Sequence, residues 1–180
     1  MRVIAGSARG VRLAPVPDGT RPLADRAREG LFSSLGEAVA GAAVLDLFAG
    51  TGAVGIEALS RGAARAVFVD SSLDAVRSIR ENLERTKLSE RAGVVRRDVA
   101  RALRSDLGRF DLIFLDPPYA LEGAALEGVL AELAAQGVVA PGGLVVLTRE
   151  IKSSMPVIPL DWASDRRLSY GDAAVLVYRA

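Results

Sequence analysis

The chain is 180 residues long, 50% hydrophobic and 25% charged, with a formal net charge of +1 and neither cysteine nor histidine. These values suit one ordinary globular domain and exclude disulfides, thiolate or imidazole metal sites, Ser-His-Asp triads and attack through a cysteine. No apolar run approaches the roughly 18 residues of a membrane span, and Met1 to Gly6 lacks the apolar core of a secretory signal, so a cytoplasmic protein with no membrane segment and no metal is expected.

In chain order, Arg2 to Ile4 and Val11 to Leu13 flank Gly6-Ser7-Ala8-Arg9-Gly10 and read as a small basic hairpin. Residues 1 to 30 hold six arginines against Asp18, Asp25 and Glu29, a local charge of +3 that leaves -2 for the remainder. Arg2, Arg9, Arg12, Arg21, Arg26 and Arg28 are candidates for a phosphate-binding face, because guanidinium groups bind phosphate oxygens in pairs. Only Lys87 and Lys152 are lysines, so a chain-wide preference for arginine is the alternative explanation. Pro15, Pro17 and Gly19 mark a join. A helix near Leu23 to Ala40 follows, with Ala27, Leu31 and Leu35 as its apolar line.

From Gly41 onward, short apolar runs alternate with helical patterns, the signature of strand-helix units around a mostly parallel sheet. The strands are expected at Ala43 to Leu47, Ala66 to Asp70, Gly93 to Arg97, Asp111 to Leu115 and Leu144 to Thr148. Helices are expected at Gly52 to Arg61, Ser72 to Thr86, Val99 to Ser105 and Leu121 to Gln136. Leu73, Val76, Ile79 and Leu83 give the second of these an apolar face, and Ser71 or Ser72 can cap it. After Pro156 and Pro159, the runs Arg166 to Tyr170 and Ala173 to Tyr178 around Gly171-Asp172 read as an antiparallel hairpin. The expected class is α/β: a Rossmann-like, mostly parallel seven-stranded sheet ending in an antiparallel hairpin, with residues 1–40 as a basic hairpin and helix and 41–180 as the body of a single domain.

Gly50-Thr51-Gly52-Ala53-Val54-Gly55 matches G-x-G-x-x-G between a strand and a helix, where a tight turn lets backbone approach a cofactor closely. That spacing serves dinucleotides and adenosylmethionine alike, and Asp70, twenty positions beyond Gly50, can hold ribose hydroxyls in either. Asp46 tips the choice. A carboxylate just before the turn repels a pyrophosphate and favours a cationic sulfonium and ammonium. In Asp46-Leu47-Phe48-Ala49-Gly50-Thr51-Gly52 the chain resembles motif I of the adenosylmethionine-dependent methyltransferases. The resemblance implies cofactor contacts from Asp46, Phe48, Ala49, Gly50, Thr51 and Gly52, from Asp70 and Ser71 at the ribose, and from Asp98 and Val99 beside the adenine. Asp98 has a second reading as the cap of the next helix.

Asp116-Pro117-Pro118-Tyr119 ends the strand pattern Leu112-Ile113-Phe114-Leu115. A carboxylate followed by two prolines fixes the backbone direction and leaves acceptors with no N-H at 117 and 118, while Tyr119 follows as a ring on which a base can stack. If Asp116 and the Pro117 carbonyl accept the two hydrogens of an exocyclic amino group, its lone pair is turned toward a methyl donor. Adenine N6, guanine N2 and glutamine amides all fit this corner.

The N-terminal half narrows the choice by resemblance. Arg2 to Gly6, Arg9 to Leu13, Thr20-Arg21-Pro22 and Asp25 to Phe32, together with Asp46 to Gly55, Glu57 to Gly62, Asp116 to Tyr119 and Tyr170-Gly171-Asp172, are similar to the bacterial RsmD family. Membership implies S-adenosyl-L-methionine as cofactor and guanine N2 of 16S rRNA, within a small-subunit particle, as substrate. It implies a monomer with Asp116, Pro117, Pro118 and Tyr119 as the reacting corner and Arg2, Arg9, Arg12, Arg21 and Arg26 on the RNA. An adenine-N6 enzyme, an NAD-dependent oxidoreductase and a noncatalytic RNA-binding subunit are the competing readings. Two departures stand out: Leu23-Ala24 replaces a pair of threonines, removing a hydroxyl cap, and Gly30 replaces a better helix former at a cost of roughly 1 kcal/mol.

Overall fold

The computed structural model of the protein describes residues 1–15, 23–118 and 120–180. Pro17, Gly19, Thr20, Arg21, Pro22 and Tyr119 thus lie outside the described residues. Seven strands form one sheet: β1 (Ala43–Leu47), β2 (Arg65–Asp70), β3 (Ala92–Arg96), β4 (Phe110–Leu115), β5 (Val139–Glu150), β6 (Ala163–Tyr170) and β7 (Ala173–Arg179). Their order is β3-β2-β1-β4-β5-β7-β6, with β7 antiparallel to both neighbours and the other ladders parallel. This is the expected Rossmann-like sheet with a terminal hairpin.

Alternation along the strands sorts the apolar side chains into two layers, as a sheet covered on both faces requires. Val44, Phe68, Leu112, Val146 and Val175 face one layer, where α1 (Asp25–Leu35), α2 (Ala53–Ser60) and α3 (Leu73–Thr86) contribute Leu31, Ile56 and Ile79. Leu45, Ile113, Leu115 and Leu147 face the other, with Leu103 of α4 (Val99–Leu103) and Leu130 of α5 (Gly123–Ala135). Strand order reverses between β1 and β4, and a ligand crevice is expected outside the carboxyl ends of strands at such a point.

Several elements differ from the sequence expectation. The first helix stops at Leu35 because Gly36 takes φ 54°, and a short 3-10 turn carries the chain to Val39. Its start has Ala24 as N-cap with no side-chain hydrogen bond, as the missing hydroxyl implied. Gly30 has a structural reason: a Cβ there would lie 2.3 Å from the Tyr170 hydroxyl oxygen, so its absence makes room for the Tyr170 ring over α1. β5 begins at Val139 rather than Leu144, because Val139 pairs with Phe110 ahead of a register shift that absorbs Pro141-Gly142-Gly143. In α3, Ser72 is the cap, accepting from Ala75 N at 3.3 Å, and Leu73 is 40% exposed instead of joining the apolar stripe. Only the first residue of the helix is affected; Ala75, Val76, Ile79 and Leu83 are buried.

Candidate active site

The carboxyl ends of β1, β2 and β4 bring the motif residues to one edge. Leu47 pairs with Val69 on one side and Leu115 on the other, so the residues that follow these strands meet. The turn after β1 is tight. Phe48 has φ 59°, a left-handed conformation costly for a residue with a side chain, and Gly50 and Gly52 follow at φ 55° and 73°. Ala49 N donates to Val69 O at 3.1 Å and Gly52 N to Ala49 O at 2.7 Å, which holds the turn in place. A Cβ at Gly55 would stand 2.4 Å from the Phe68 ring and 3.0 Å from Asp46 Oδ2. Glycine there lets α2 settle onto β1 and β2, and Gly55 N donates to Asp46 Oδ2 at 2.9 Å.

Asp46 is buried, and Asp70 and Asp116 lie close enough to act on it. Burial, with both neighbouring carboxylates adding to it and the Gly55 hydrogen bond opposing it, pushes the Asp46 carboxyl up to about 8. Asp116 is pushed up to about 6 by burial. Asp70 accepts from Gly50 N on one oxygen and from Ser72 N on the other, both at 2.9 Å, so it also fixes the glycine turn relative to α3. Thr51 is buried and its carbonyl accepts from Asn82 Nδ2 at 2.9 Å. Ser71 is exposed beside Asp70, and its carbonyl accepts from Arg96 Nε at 3.4 Å. Asp98 caps α4, one oxygen accepting from Arg101 N at 3.1 Å, with Val99 buried behind it.

At the end of β4, Asp116 N reaches Leu47 O at 3.5 Å and joins the corner to the glycine turn. The Asp116 carboxylate makes no hydrogen bond among the described residues. Pro117 is buried and Pro118 exposed; the Pro118 carbonyl accepts from Leu121 N at 2.8 Å, whereas that of Pro117 accepts from no backbone N-H there. Among the described residues these two acceptors are unengaged beside the cleft.

The N-terminal hairpin is small, held by the Arg2 and Arg12 bridge and by Val3 N donating to Val11 O at 3.0 Å. Arg2, Arg9, Arg12 and Arg26 are exposed, and Arg2, Arg9 and Arg26 line one open groove of about 520 Å³ with Asp25 and Glu29. Arg28 corrects the sequence expectation: it is wholly buried and lies 3.8 Å from the equally buried Glu57, so it serves the interior and not a phosphate face. Its place follows from the helix period, since Arg28, Leu31, Phe32 and Leu35 share the inward stripe.

Two connecting residues escaped the sequence reading. Glu57 accepts from Ile4 N at 2.8 Å and Ala5 N at 3.0 Å and pairs with Arg61 at 2.7 Å, tying the hairpin to α2. Asn82 accepts from Ala14 N at 2.7 Å while donating to Thr51, linking the N-terminal segment to the glycine turn through α3. Each is a large polar residue inside a mostly apolar helix stripe, and that was the available signal.

The family model described as Conserved hypothetical protein 95 matches residues 1–179. Ribosomal RNA small subunit methyltransferase D of Escherichia coli (strain K12) is 34% identical over 181 residues, 99% of this chain and 89% of that one. YlbH of Bacillus subtilis (strain 168) is 36% identical over 183 residues, 99% of this chain and 98% of that one. The solved structure of yhhF from Escherichia coli, 35% identical, aligns with a TM-score of 0.89 over 99% of this chain and 97% of its own. Sheet order, glycine turn, proline corner and near full-length similarity agree, and the chain belongs to the Conserved hypothetical protein 95 family, that of the RsmD methyltransferases.

Proposed function

We propose that this protein methylates the exocyclic N2 amino group of a guanine in 16S rRNA, with the base turned out into the corner formed by Asp116, Pro117, Pro118 and Tyr119. S-adenosyl-L-methionine supplies the electrophilic methyl group. The observation that carries this reading is the pair of acceptors unengaged among the described residues, the Asp116 carboxylate and the Pro117 carbonyl, beside a crevice that collects three carboxylates. A cofactor carrying a sulfonium and an ammonium fits such a crevice, because its positive charge offsets the desolvation of Asp46 and the repulsion from Asp116 and Asp70. In this reading Asp46 faces its amino-acid portion across the turn of Phe48, Ala49, Gly50, Thr51 and Gly52. Asp70 and Ser71 hold the ribose, and Asp98 and Val99 border the adenine.

The chain's own contribution is positional and electrostatic. Asp116 and Pro117 accept the two amino hydrogens, which localises the nitrogen lone pair and aims it at the methyl carbon within roughly 3 to 3.5 Å. Asp116 must be ionised to do so. The proton is lost once the nitrogen has become cationic, when Asp116 or water can take it. Tyr119 stacks on the base, and Arg2, Arg9, Arg12, Arg21 and Arg26 hold phosphates of the surrounding RNA. The protein works as a monomer in the cytoplasm, as one domain over residues 1–180, on a small-subunit particle.

Asp116 and Pro117 would grip adenine N6 by the same two bonds, so base identity is the deciding measurement. Small-subunit particles from a strain lacking the enzyme are incubated with the purified protein and labelled S-adenosylmethionine, and the rRNA is digested to nucleosides. Label in N2-methylguanosine is expected. Label in N6-methyladenosine would replace guanine by adenine, and no transfer to any particle or RNA would remove the enzymatic reading.

A further inference from the structure

The outer hairpin carries a basic feature on the face away from α1. Arg149 of β5 pairs with Ala174 of β7, which pairs with Ser169 of β6; one row lower, Leu147, Leu176 and Arg167 stand abreast. Residues directly opposite in an antiparallel ladder share a face, so Arg149, Ser169 and Arg167 project on the side where Leu147, Leu176 and Tyr178 enter the α4 and α5 layer. On ideal sheet spacing the two arginines are two strands and two residues apart, roughly 12 Å between their Cα atoms.

Neither Arg149 nor Arg167 forms an ion pair or a side-chain hydrogen bond among the described residues. Two other arginines of the hairpin behave otherwise: Arg166 and Arg179 are both tied to Asp165, at 2.7 Å and 3.1 Å. One row beyond, abreast of Val145 and Ser164, Tyr178 carries a buried hydroxyl with no hydrogen-bond partner among the described residues. Burial raises its pKa while Arg149 and Arg167 both pull it down, so the two guanidinium groups converge within electrostatic reach of one point. Arg167 is exposed and Arg149 half-buried, with exposed Lys152 just beyond.

Position gives this patch a partner. Leu147 pairs with Leu115, so Arg149 stands two residues past that row on β5, as Pro117 does on β4. The patch therefore begins at the edge where the Asp116 corner opens and runs outward across β7 to β6. We propose that Arg149 and Arg167 form a phosphate-binding track for the RNA backbone, extending the substrate footprint from the reacting corner over the outer hairpin. This rests on the RNA reading above and adds a second contact surface, separate from the N-terminal arginines.

The test compares the full-length wild type with Arg149→Ala/Arg167→Ala, Arg149→Lys/Arg167→Lys and a charge-matched control, Arg77→Ala/Arg85→Ala on α3, whose arginines pair with Asp74 and Glu81. Binding to a full-length 16S rRNA transcript is measured across a salt series, with thermal unfolding as a check on folding. The alanine pair should lose about tenfold in affinity at 0.1 M salt and flatten the log affinity against log salt slope by about 1.4 to 1.8. Its cofactor affinity and its rate at saturating RNA should stay at wild-type values while KM for RNA rises. The lysine pair should retain most of the slope, and the control should match wild type.

A wild-type slope in the alanine pair, or equal flattening in the control, overturns the track while leaving the RNA reading intact. Unchanged transcript binding combined with lost methylation of particles also overturns it and gives this face to a protein contact near exposed Met155 and Leu160. Absence of wild-type binding to both the transcript and small-subunit particles, with the salt series run on whichever of the two binds, overturns the RNA reading and the track together.

Discussion

Helix α2 stands between two fully buried carboxylates that have opposite surroundings. At its start, Asp46 receives one backbone N-H, from Gly55, and otherwise faces Asp70 and Asp116. At its far end, Glu57 receives two backbone N-H groups and lies against Arg61 and Arg28. A buried charge is tolerated when it is paired and hydrogen-bonded, and costly when it is not. The compensated group holds the N-terminal hairpin to the body. The uncompensated one leaves an electrostatic deficit that a cationic ligand can fill, and this separates a structural carboxylate from a binding one at equal burial.

The largest effect expected is on the compensated side. Glu57→Ala removes the partner of Arg61, leaves buried Arg28 with Asp25 as its one carboxylate among the described residues, and leaves two hairpin N-H groups unsatisfied, so chemical denaturation should show a loss of about 3 to 5 kcal/mol. A loss below 1 kcal/mol would show that the hairpin is held without Glu57, by apolar contacts and its hydrogen bonds to Ser60. Next comes the reacting corner. Asp116→Ala removes an acceptor aimed at the amino group and should lower turnover by about 100- to 1000-fold, with cofactor binding nearly intact by calorimetry. Asp70→Ala should instead weaken S-adenosylmethionine binding, and equal cofactor loss in both variants would dissolve the division of roles at this edge. Titration with NADH should produce no comparable heat; tight NADH binding would return the glycine turn to its dinucleotide reading.

The same comparison shows what a sequence discloses. The glycine turn and the proline corner are local: positive φ at Gly50 and Gly52 and the missing N-H groups of Pro117 and Pro118 follow from residue type, so the edge that holds them was legible. Strand positions in the parallel core agree to within a residue or so, because apolar runs bounded by turns have few alternatives. Arg28 was misread because an arginine count carries no direction, although its spacing to Leu31 and Leu35 put it on the inward stripe. The early start of β5 was hidden by Pro141-Gly142-Gly143, a turn signal that the sheet absorbs through a register shift. Glu57 and Asn82 were missed for a third reason: their partners, Ile4, Ala5 and Ala14, are more than 50 residues away.

The comparison is tested most directly through pH, where the effect per pH unit is the smallest of these. The Asp46 carboxyl at about 8 lies above the ordinary aspartate value near 4, so across that interval the folded chain keeps a proton that the unfolded chain has released. Stability of the unliganded protein must then fall as pH rises from about 4 to about 8, by at most about 1.4 kcal/mol per unit from this group. A cationic cofactor favours the ionised form, so its affinity should rise toward pH 8, by up to about tenfold per unit, and then level off. Asp116, at about 6, steepens the dependence only below that pH. Asp46→Asn should abolish the slope between pH 6 and 8 and, at pH 8, raise the melting temperature of the unliganded protein. Glu57→Gln, the matching isosteric change at the other carboxylate, should lower it, because there the charge removed is one that Arg28 and Arg61 require. Opposite signs at equal burial are the signature of the distinction. If both substitutions destabilise at pH 8, and wild-type cofactor affinity is flat from pH 6 to 8, Asp46 is already compensated without a ligand and the two ends of α2 are alike.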